Sequence, residues 1–81
     1  MKDIFCSRIS INDGHAVYQF GPSPENMTGL VRIYPQMPRF DVEQQPKEQK
    51  MPDSLLVRVW LKYQEQISKG AFPEKMAVQV G

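Results

Sequence analysis

Apolar and polar residues alternate from residue 3 to residue 20, on both sides of an Asp13-Gly14 pair. Such alternation is typical of strands with one buried face, and Asp-Gly favours a two-residue type I′ hairpin turn. That turn pairs Asn12 with His15, Ile11 with Ala16, Ile9 with Tyr18 and Ser7 with Phe20. One face of the predicted hairpin then carries Phe5, Ile9, Ile11, Ala16, Tyr18 and Phe20. The other face carries Arg8, Ser10, Val17 and Gln19.

Two further strands are predicted downstream of this hairpin. Residues 30–34 form a run rich in β-branched residues between Gly29 and Pro35, which is typical of a strand. Residues 39–43 alternate and follow Pro38, so they predict a short fourth strand at a sheet edge, where proline is tolerated. The segments 21–29 and 44–51 lack this periodicity and predict a loop and an exposed connector.

Helical spacing begins after Pro52. Leu56, Trp60, Tyr63 and Ile67 are separated by 4, 3 and 4 positions, which places them on one face of a helix. The pattern predicts one helix from a cap at Asp53 or Ser54 to Lys69, followed by Gly70. A strand is the rival interpretation, because Val57, Val59, Leu61 and Tyr63 also alternate, with Arg58 and Lys62 among the residues between them. The long stretch without Gly or Pro favours the helix.

The elements together predict an α+β fold in one domain over residues 1–81. The expected architecture is an antiparallel meander of three to four strands with one long helix packed on one face. Residues 75–80 alternate again and leave two alternatives, a last strand of the sheet or a mobile tail. The expected order is therefore β-β-β-(β)-α-(β).

The predicted helix also indicates an oligomer. Val57 and Leu61 widen its apolar stripe beyond the part that one sheet face covers. Small domains with surplus apolar surface commonly bury it against a second copy. We therefore expect a homo-oligomer, a dimer in the first place, with Val57, Trp60 and Leu61 at the contact. The position of Trp60 on the main stripe is, however, more typical of a core residue.

Composition narrows the class of protein. Charged residues make up 23% of the 81 positions and the net charge is +1, which excludes a charged disordered tail and argues against a basic DNA-packing protein. The sequence contains no apolar run typical of a signal peptide or a membrane span. A single Cys excludes an internal disulfide framework and fits a reducing compartment. We therefore expect a cytoplasmic protein with no membrane partner, similar in size to small bacterial or phage accessory proteins.

The sequence contains no convincing catalytic or metal-binding pattern. Cys6 and His15 are the one thiol–base pair, and the predicted register separates them along the hairpin. Asp41 and Glu43 offer too few ligands for a cation site and lie in the most polar part of the chain. One His and one Cys are too few for zinc, and no serine-hydrolase or phosphate-loop motif is present. We expect no catalytic residue, no metal and no cofactor.

The sheet face away from the helix provides the candidate binding residues. If the predicted third strand aligns with the hairpin, this face carries Arg8, Gln19, Arg32 and Tyr34, and Arg39 extends it. Arginines beside an exposed aromatic ring suit an acidic protein surface, an anionic nucleotide or single-stranded nucleic acid. A plain solvent-facing surface is the alternative, because antiparallel sheets commonly have one polar face.

Three functional hypotheses follow. The first is a small non-enzymatic binding module that acts through protein–protein interaction as a regulator, inhibitor or adapter. The second is a binder of nucleic acid or anionic nucleotides that uses the Arg/Tyr face, with an affinity that falls steeply as salt is raised. The third is an enzyme whose active site forms only between subunits.

Overall fold

The computed structural model describes residues 3–36 and 38–79. Over these residues the chain forms five strands and two helices: β1 (Ile4–Asn12), β2 (His15–Gly21), β3 (Gly29–Tyr34), β4 (Arg39–Gln44), α1 (Asp53–Lys62), α2 (Gln64–Ser68) and β5 (Lys75–Val78). The strands lie in one sheet in the order β4-β3-β2-β1-β5, and each neighbouring pair is antiparallel. The predicted α+β class with an antiparallel sheet is confirmed. The predicted three to four strands and single long helix are wrong.

The β1–β2 hairpin differs from the prediction at one residue. Asn12 pairs with His15 and Ile11 with Ala16, as expected. A β-bulge then shifts the register between Ser10 and Arg8, so that Arg8, rather than Ile9, lies opposite Tyr18. The predicted pairs Ile9 with Tyr18 and Ser7 with Phe20 are therefore wrong, because a bulge inserts one residue and reverses the side-chain alternation beyond it.

The bulge changes which side chains of β1 enter the core. Ile4 and Cys6 are buried in place of the predicted Phe5, which is half-buried, and the bulged Ile9 is 52% exposed. Ile11 keeps its predicted pair with Ala16 and is nevertheless 53% exposed, so its predicted place in the core is also wrong. The turn itself also differs from a type I′ turn, which needs a positive φ at both central residues. Among the described residues only glycines have a positive φ, so Gly14 (φ 84°) has one and Asp13 does not.

The third and fourth strands agree with the prediction in position, and β4 is an edge strand. The ladder between β3 and β4 contains a second irregularity. Val31 pairs with Val42 but Leu30 pairs with Gln44, so Glu43 is the extra residue. The alternation directs Arg39 and Asp41 of this edge to the same face as Arg32 and Tyr34.

The predicted helix is divided at Tyr63, whose φ of −110° and ψ of 22° lie outside the helical range. At this break the Tyr63 hydroxyl accepts a hydrogen bond from the backbone N–H of Ala77 in β5 (3.2 Å). The buried Ile67 lies beyond the break, in α2. The N-cap is Pro52, with no side-chain cap bond, rather than Asp53 or Ser54 as predicted.

The core lies between the helices and one face of the sheet. The helices contribute Leu55, Leu56, Val59, Trp60 and Ile67, and the strands contribute Ile4, Cys6, Ala16, Tyr18, Phe20, Val31, Ile33 and Met76. Trp60 also donates its indole N–H to the backbone carbonyl of Tyr34 (2.8 Å). This bond satisfies the one polar atom of a side chain that is otherwise buried in apolar surroundings.

The C-terminal segment forms a strand, which resolves the alternative that the sequence left open. β5 pairs with Ile4 to Ser7 of β1 and buries Met76. Val80, which also belongs to the predicted alternation, lies outside the described residues. β5 begins at Lys75, shortly after Pro73, which has no backbone N–H for the ladder.

Candidate functional site

Within residues 3–36 and 38–79, no second layer covers the sheet face that points away from the helices, and we call it the open face. Cross-strand pairing brings together four residues there that the sequence singled out. Val17 lies opposite Arg32, Gln19 opposite Leu30, and Tyr34 opposite Arg39. Because directly paired residues point to the same side of a sheet, Gln19, Arg32, Tyr34 and Arg39 share the open face.

Tyr34 is the centre of a polar cluster on the open face. Its hydroxyl donates a hydrogen bond to Asp41 Oδ2 (3.0 Å). The guanidinium carbon of Arg39 lies 4.4 Å from the centre of the tyrosine ring, within the range of a cation–π contact. The His15 ring packs nearby, with 5.6 Å between ring centroids. Arg39 and His15 therefore contact the tyrosine ring, and Asp41 binds its hydroxyl.

Arg32 makes an ion pair with Glu43, the bulged residue of β4. Both side chains are well exposed, so the pair contributes little to folding stability. It does balance the charge of the surface. The two cations Arg32 and Arg39 are accompanied by the two carboxylates of Asp41 and Glu43.

Arg8 is not part of this face, and the prediction that placed it there is wrong. Because of the bulge at Ile9, Arg8 lies opposite Tyr18 and points to the core side of the sheet. Its Nη1 donates a hydrogen bond to the backbone carbonyl of Phe72 (2.7 Å). Tyr18 donates in parallel to the carbonyl of Pro73 (2.5 Å). Arg8 therefore anchors the segment before β5 and stabilises the fold, and it is not available on the open face.

The residues proposed for an oligomer contact have unequal exposure. Trp60 is only 1% exposed, so its side chain belongs to the core and offers no surface to a partner. Val57 is half-buried. Leu61 is 43% exposed and is the one of the three that projects from the helix.

Cys6 and His15 do not form a nucleophile–base pair. Cys6 lies opposite Phe20, whereas His15 lies opposite Asn12 near the turn. Burial raises the pKa of the Cys6 thiol to about 12, so it stays protonated at neutral pH.

Among the described residues, no group of three or more His, Cys, Asp or Glu side chains could hold a metal ion. In the same part of the chain, no helix is long and apolar enough to cross a membrane.

Two members of the Tyr34 cluster, His15 and Asp41, were not predicted from the sequence. Asp41 was considered only as a cation ligand, because the pairing of β3 with β4 could not be placed from the sequence. The alternation of residues 39–43 is the signal that, once the pairing of β3 with β4 is known, puts Asp41 beside Arg32.

Comparisons of the chain with protein-family models, with curated proteins and with solved structures found no match.

Proposed function

We propose that this protein is a small non-enzymatic binding module that acts through protein–protein interaction, as a regulator, inhibitor or adapter. The observation that carries the proposal is the Tyr34 cluster on the open face. Tyr34 is held by Asp41, covered by Arg39 and flanked by His15. Tyr and Arg side chains held in this way lose little conformational freedom on binding, which is why they dominate the energetics of protein interfaces.

A protein surface suits this face better than a nucleic acid does. A phosphate backbone requires unopposed positive charge, because the binding is driven by the release of its counterions, which becomes less favourable as salt is raised. Here Glu43 is paired with Arg32, and Asp41 lies opposite Arg32 and is bonded to Tyr34. The alternative of an anionic nucleotide or nucleic-acid ligand therefore rests on Arg39 and the ring of Tyr34 alone.

The proposal includes two further expectations from the sequence, a cytoplasmic location and a homodimer. With Trp60 in the core, a dimer through the helix would use Leu61 and the half-buried edge of Val57. Sedimentation of the wild type against Leu61→Glu tests the dimer. Cell fractionation tests the location.

Site-specific photo-crosslinking in the cells that make this protein tests the binding module. A benzoylphenylalanine at Gln19, which is exposed on the open face, should give discrete protein-containing adducts. The same residue at Arg58, exposed on α1, serves as the matched control and should give none. Combining the Gln19 probe with Tyr34→Ala and Arg39→Ala should remove the adducts while the far-UV circular dichroism spectrum is unchanged.

Two results would overturn the proposal. The first is equal crosslinking from Gln19 and Arg58, which would mean that the open face has no preference as a contact. The second is adducts that disappear with nuclease, together with oligonucleotide binding that weakens steeply between low and moderate salt. That second result would transfer the function to the nucleic-acid alternative.

A further inference from the structure

The described part of the sheet has three stretches of free strand edge, and two of them are protected. The outer edge of β4 carries the charged side chains of Arg39, Asp41 and Glu43 and a bulge. On the outer edge of β5, the carbonyl of Ala77 accepts a hydrogen bond from Lys62 Nζ (2.8 Å), and its N–H donates to the Tyr63 hydroxyl (3.2 Å). Charges, bulges and covering side chains are the usual means of keeping an edge from pairing with another chain.

The third stretch is the distal half of β1, Ile9 to Asn12. β5 pairs only with Ile4 to Ser7, and the last backbone bond of this ladder runs from Arg8 N–H to the carbonyl of Glu74 (2.8 Å). Beyond this bond, β1 and the segment that precedes β5 are no longer paired. Pro73 has no N–H to donate, and the carbonyls of residues 72 and 73 are occupied by the side chains of Arg8 and Tyr18. The edge of β1 is therefore left open by the same bonds that fix the start of β5.

This open edge is apolar. Ile9 and Ile11 are each about half exposed, and together with Leu61 they are the exposed large apolar side chains of the described residues. The pair Asn12–His15 closes the hairpin turn and is a hydrogen-bonded pair. Such pairs alternate with pairs that are not hydrogen-bonded, so the N–H and C=O of the next residue, Ile11, point away from β2. An unpaired backbone donor and acceptor thus lie between two exposed isoleucine side chains.

A groove runs beside the edge on the helix side of the sheet. Its volume is about 370 Å³. Its walls are formed by Ile11, the turn residues Asn12, Asp13 and Gly14, and Pro35, Ser68, Lys69, Gly70 and Phe72. A strand added to β1 would direct every second side chain toward this groove. An edge for backbone pairing next to a groove for alternate side chains is the arrangement that recognises extended peptides.

Charge and area indicate the occupant. Asp13 also lines the groove, but Lys69 makes no ion pair with it or with any other of residues 3–36 and 38–79, so Lys69 remains available to an acidic side chain. A second copy is a poorer fit, because pairing of two four-residue edges falls far short of the roughly 20–30 residues a side of a stable interface. We propose that the edge of β1 binds an extended peptide of another protein as an added strand, with an apolar side chain in the groove and an acidic one beside Lys69. This second site goes beyond the open face and does not depend on it.

Selection from a phage-displayed library of random heptapeptides tests the proposal. The enriched sequences should carry apolar residues at alternate positions, an acidic residue and no internal proline. One enriched peptide, synthesised and titrated into ¹⁵N-labelled protein, should shift the amide signals of Ile9 to Asn12 and of residues 69–72. Repeating the selection on Lys69→Glu should exchange the acidic preference for a basic one.

Backbone pairing is tested separately on the protein and on the peptide. Ile11→Pro removes the outward N–H and should lower the affinity for the peptide by about tenfold, which corresponds to the loss of one hydrogen bond. Ile11→Thr is the matched control, because it keeps that N–H and should keep the backbone bond. If Ile11→Pro does not fold, N-methylation of the peptide replaces it. Methyl groups at alternate positions should weaken binding by about tenfold, and those at the positions between them should not.

Three outcomes would overturn the inference: no enrichment over a blocked-bead control, amide shifts confined to the open face, or N-methyl effects without alternation. Self-association that Ile11→Pro abolishes would assign the edge to a second copy and would also overturn it. None of these outcomes bears on the Gln19 crosslinks, so the two proposals fail independently.

Discussion

The hydrogen bond from Tyr18 to the carbonyl of Pro73 provides the sharpest test of how the C-terminal strand is held. The Tyr18 ring is fully buried and its hydroxyl lies 2.5 Å from the carbonyl oxygen. Burial raises the pKa of Tyr18, partly offset by the charge of Arg8, so the hydroxyl keeps its proton as a donor at neutral pH. Tyr18→Phe removes this donor and leaves the ring packing intact.

Two contributions set the expected change in the free energy of unfolding. A neutral hydrogen bond contributes about 1 kcal/mol, and a partly buried carbonyl left without a partner adds about 1 kcal/mol or more. We therefore expect Tyr18→Phe to lower the free energy of unfolding by about 2 kcal/mol. For 81 residues the total stability is about 4–12 kcal/mol, so this is a substantial fraction.

Urea unfolding followed by the fluorescence of Trp60 measures the loss. Trp60 is the sole tryptophan of the sequence and is buried, so its emission reports the core. With an m-value near 1 kcal/mol/M, the midpoint should fall by about 2 M. Hydrogen exchange of the β5 amides should also become faster than that of β2 and β3.

A double-mutant cycle with Arg8→Met tests whether the two bonds act on one segment. Arg8 and Tyr18 bind the adjacent carbonyls of residues 72 and 73, so the double variant should lose about 1 kcal/mol less than the sum of the single variants. A loss below about 0.5 kcal/mol for Tyr18→Phe would refute the reasoning. So would full additivity in the cycle.

Four other changes have defined outcomes. Burial raises the pKa of Cys6 from 9.0 to about 12, so its contribution to stability is complete below pH 9 and falls by about 1.4 kcal/mol per pH unit above it. Urea midpoints between pH 9 and pH 10 should show this fall in the wild type and a smaller one in Cys6→Ala, where the raised pKa of Tyr18 still contributes. Gly21→Ala should cost more than about 2 kcal/mol in thermal unfolding, because its Cβ would lie within 3 Å of the backbone of the following loop. Trp60→Phe should cost about 2 kcal/mol, seen by circular dichroism, from the lost indole hydrogen bond and the lost volume. Deletion of Ile9 should leave the fold and its stability nearly unchanged, because the bulge becomes a regular ladder. Deletion of Ser7, the matched control, should unfold the protein or shift its core by displacing the residues before it.

Local patterns in the sequence carry much of this fold. The Asp-Gly turn, the run at residues 30–34 and the spacing of Leu56, Trp60 and Ile67 each reflect a neighbour relation within a few residues. These determined the antiparallel sheet, the helical region and most of the open face. The positions of Gln19, Arg32 and Tyr34 were obtained in this way, since only the hairpin register near the turn and the alternation of β3 are needed.

Features set by distant contacts were not predictable in the same way. The break at Tyr63 coincides with a bond to Ala77, and the strand at residues 75–78 needs the edge that β1 provides. Helix propensity alone favours continuity through Tyr63, and four alternating residues alone do not make a strand. Both outcomes depend on tertiary partners more than ten positions away in the sequence.

The bulge at Ile9 links most of the departures from the prediction. One extra residue in β1 moves Ile4 and Cys6 into the core and turns Arg8 from the open face toward the segment before β5. Arg8 then occupies a carbonyl that could otherwise continue the ladder along β1, so the same extra residue leaves the edge at Ile11 unpaired. The register error and the proposed peptide site thus have a common physical origin. If Ile9 were paired opposite Tyr18 instead of bulged, Arg8 would point to the open face with the candidate binding residues, and the segment at residue 72 would have no side chain to hold it.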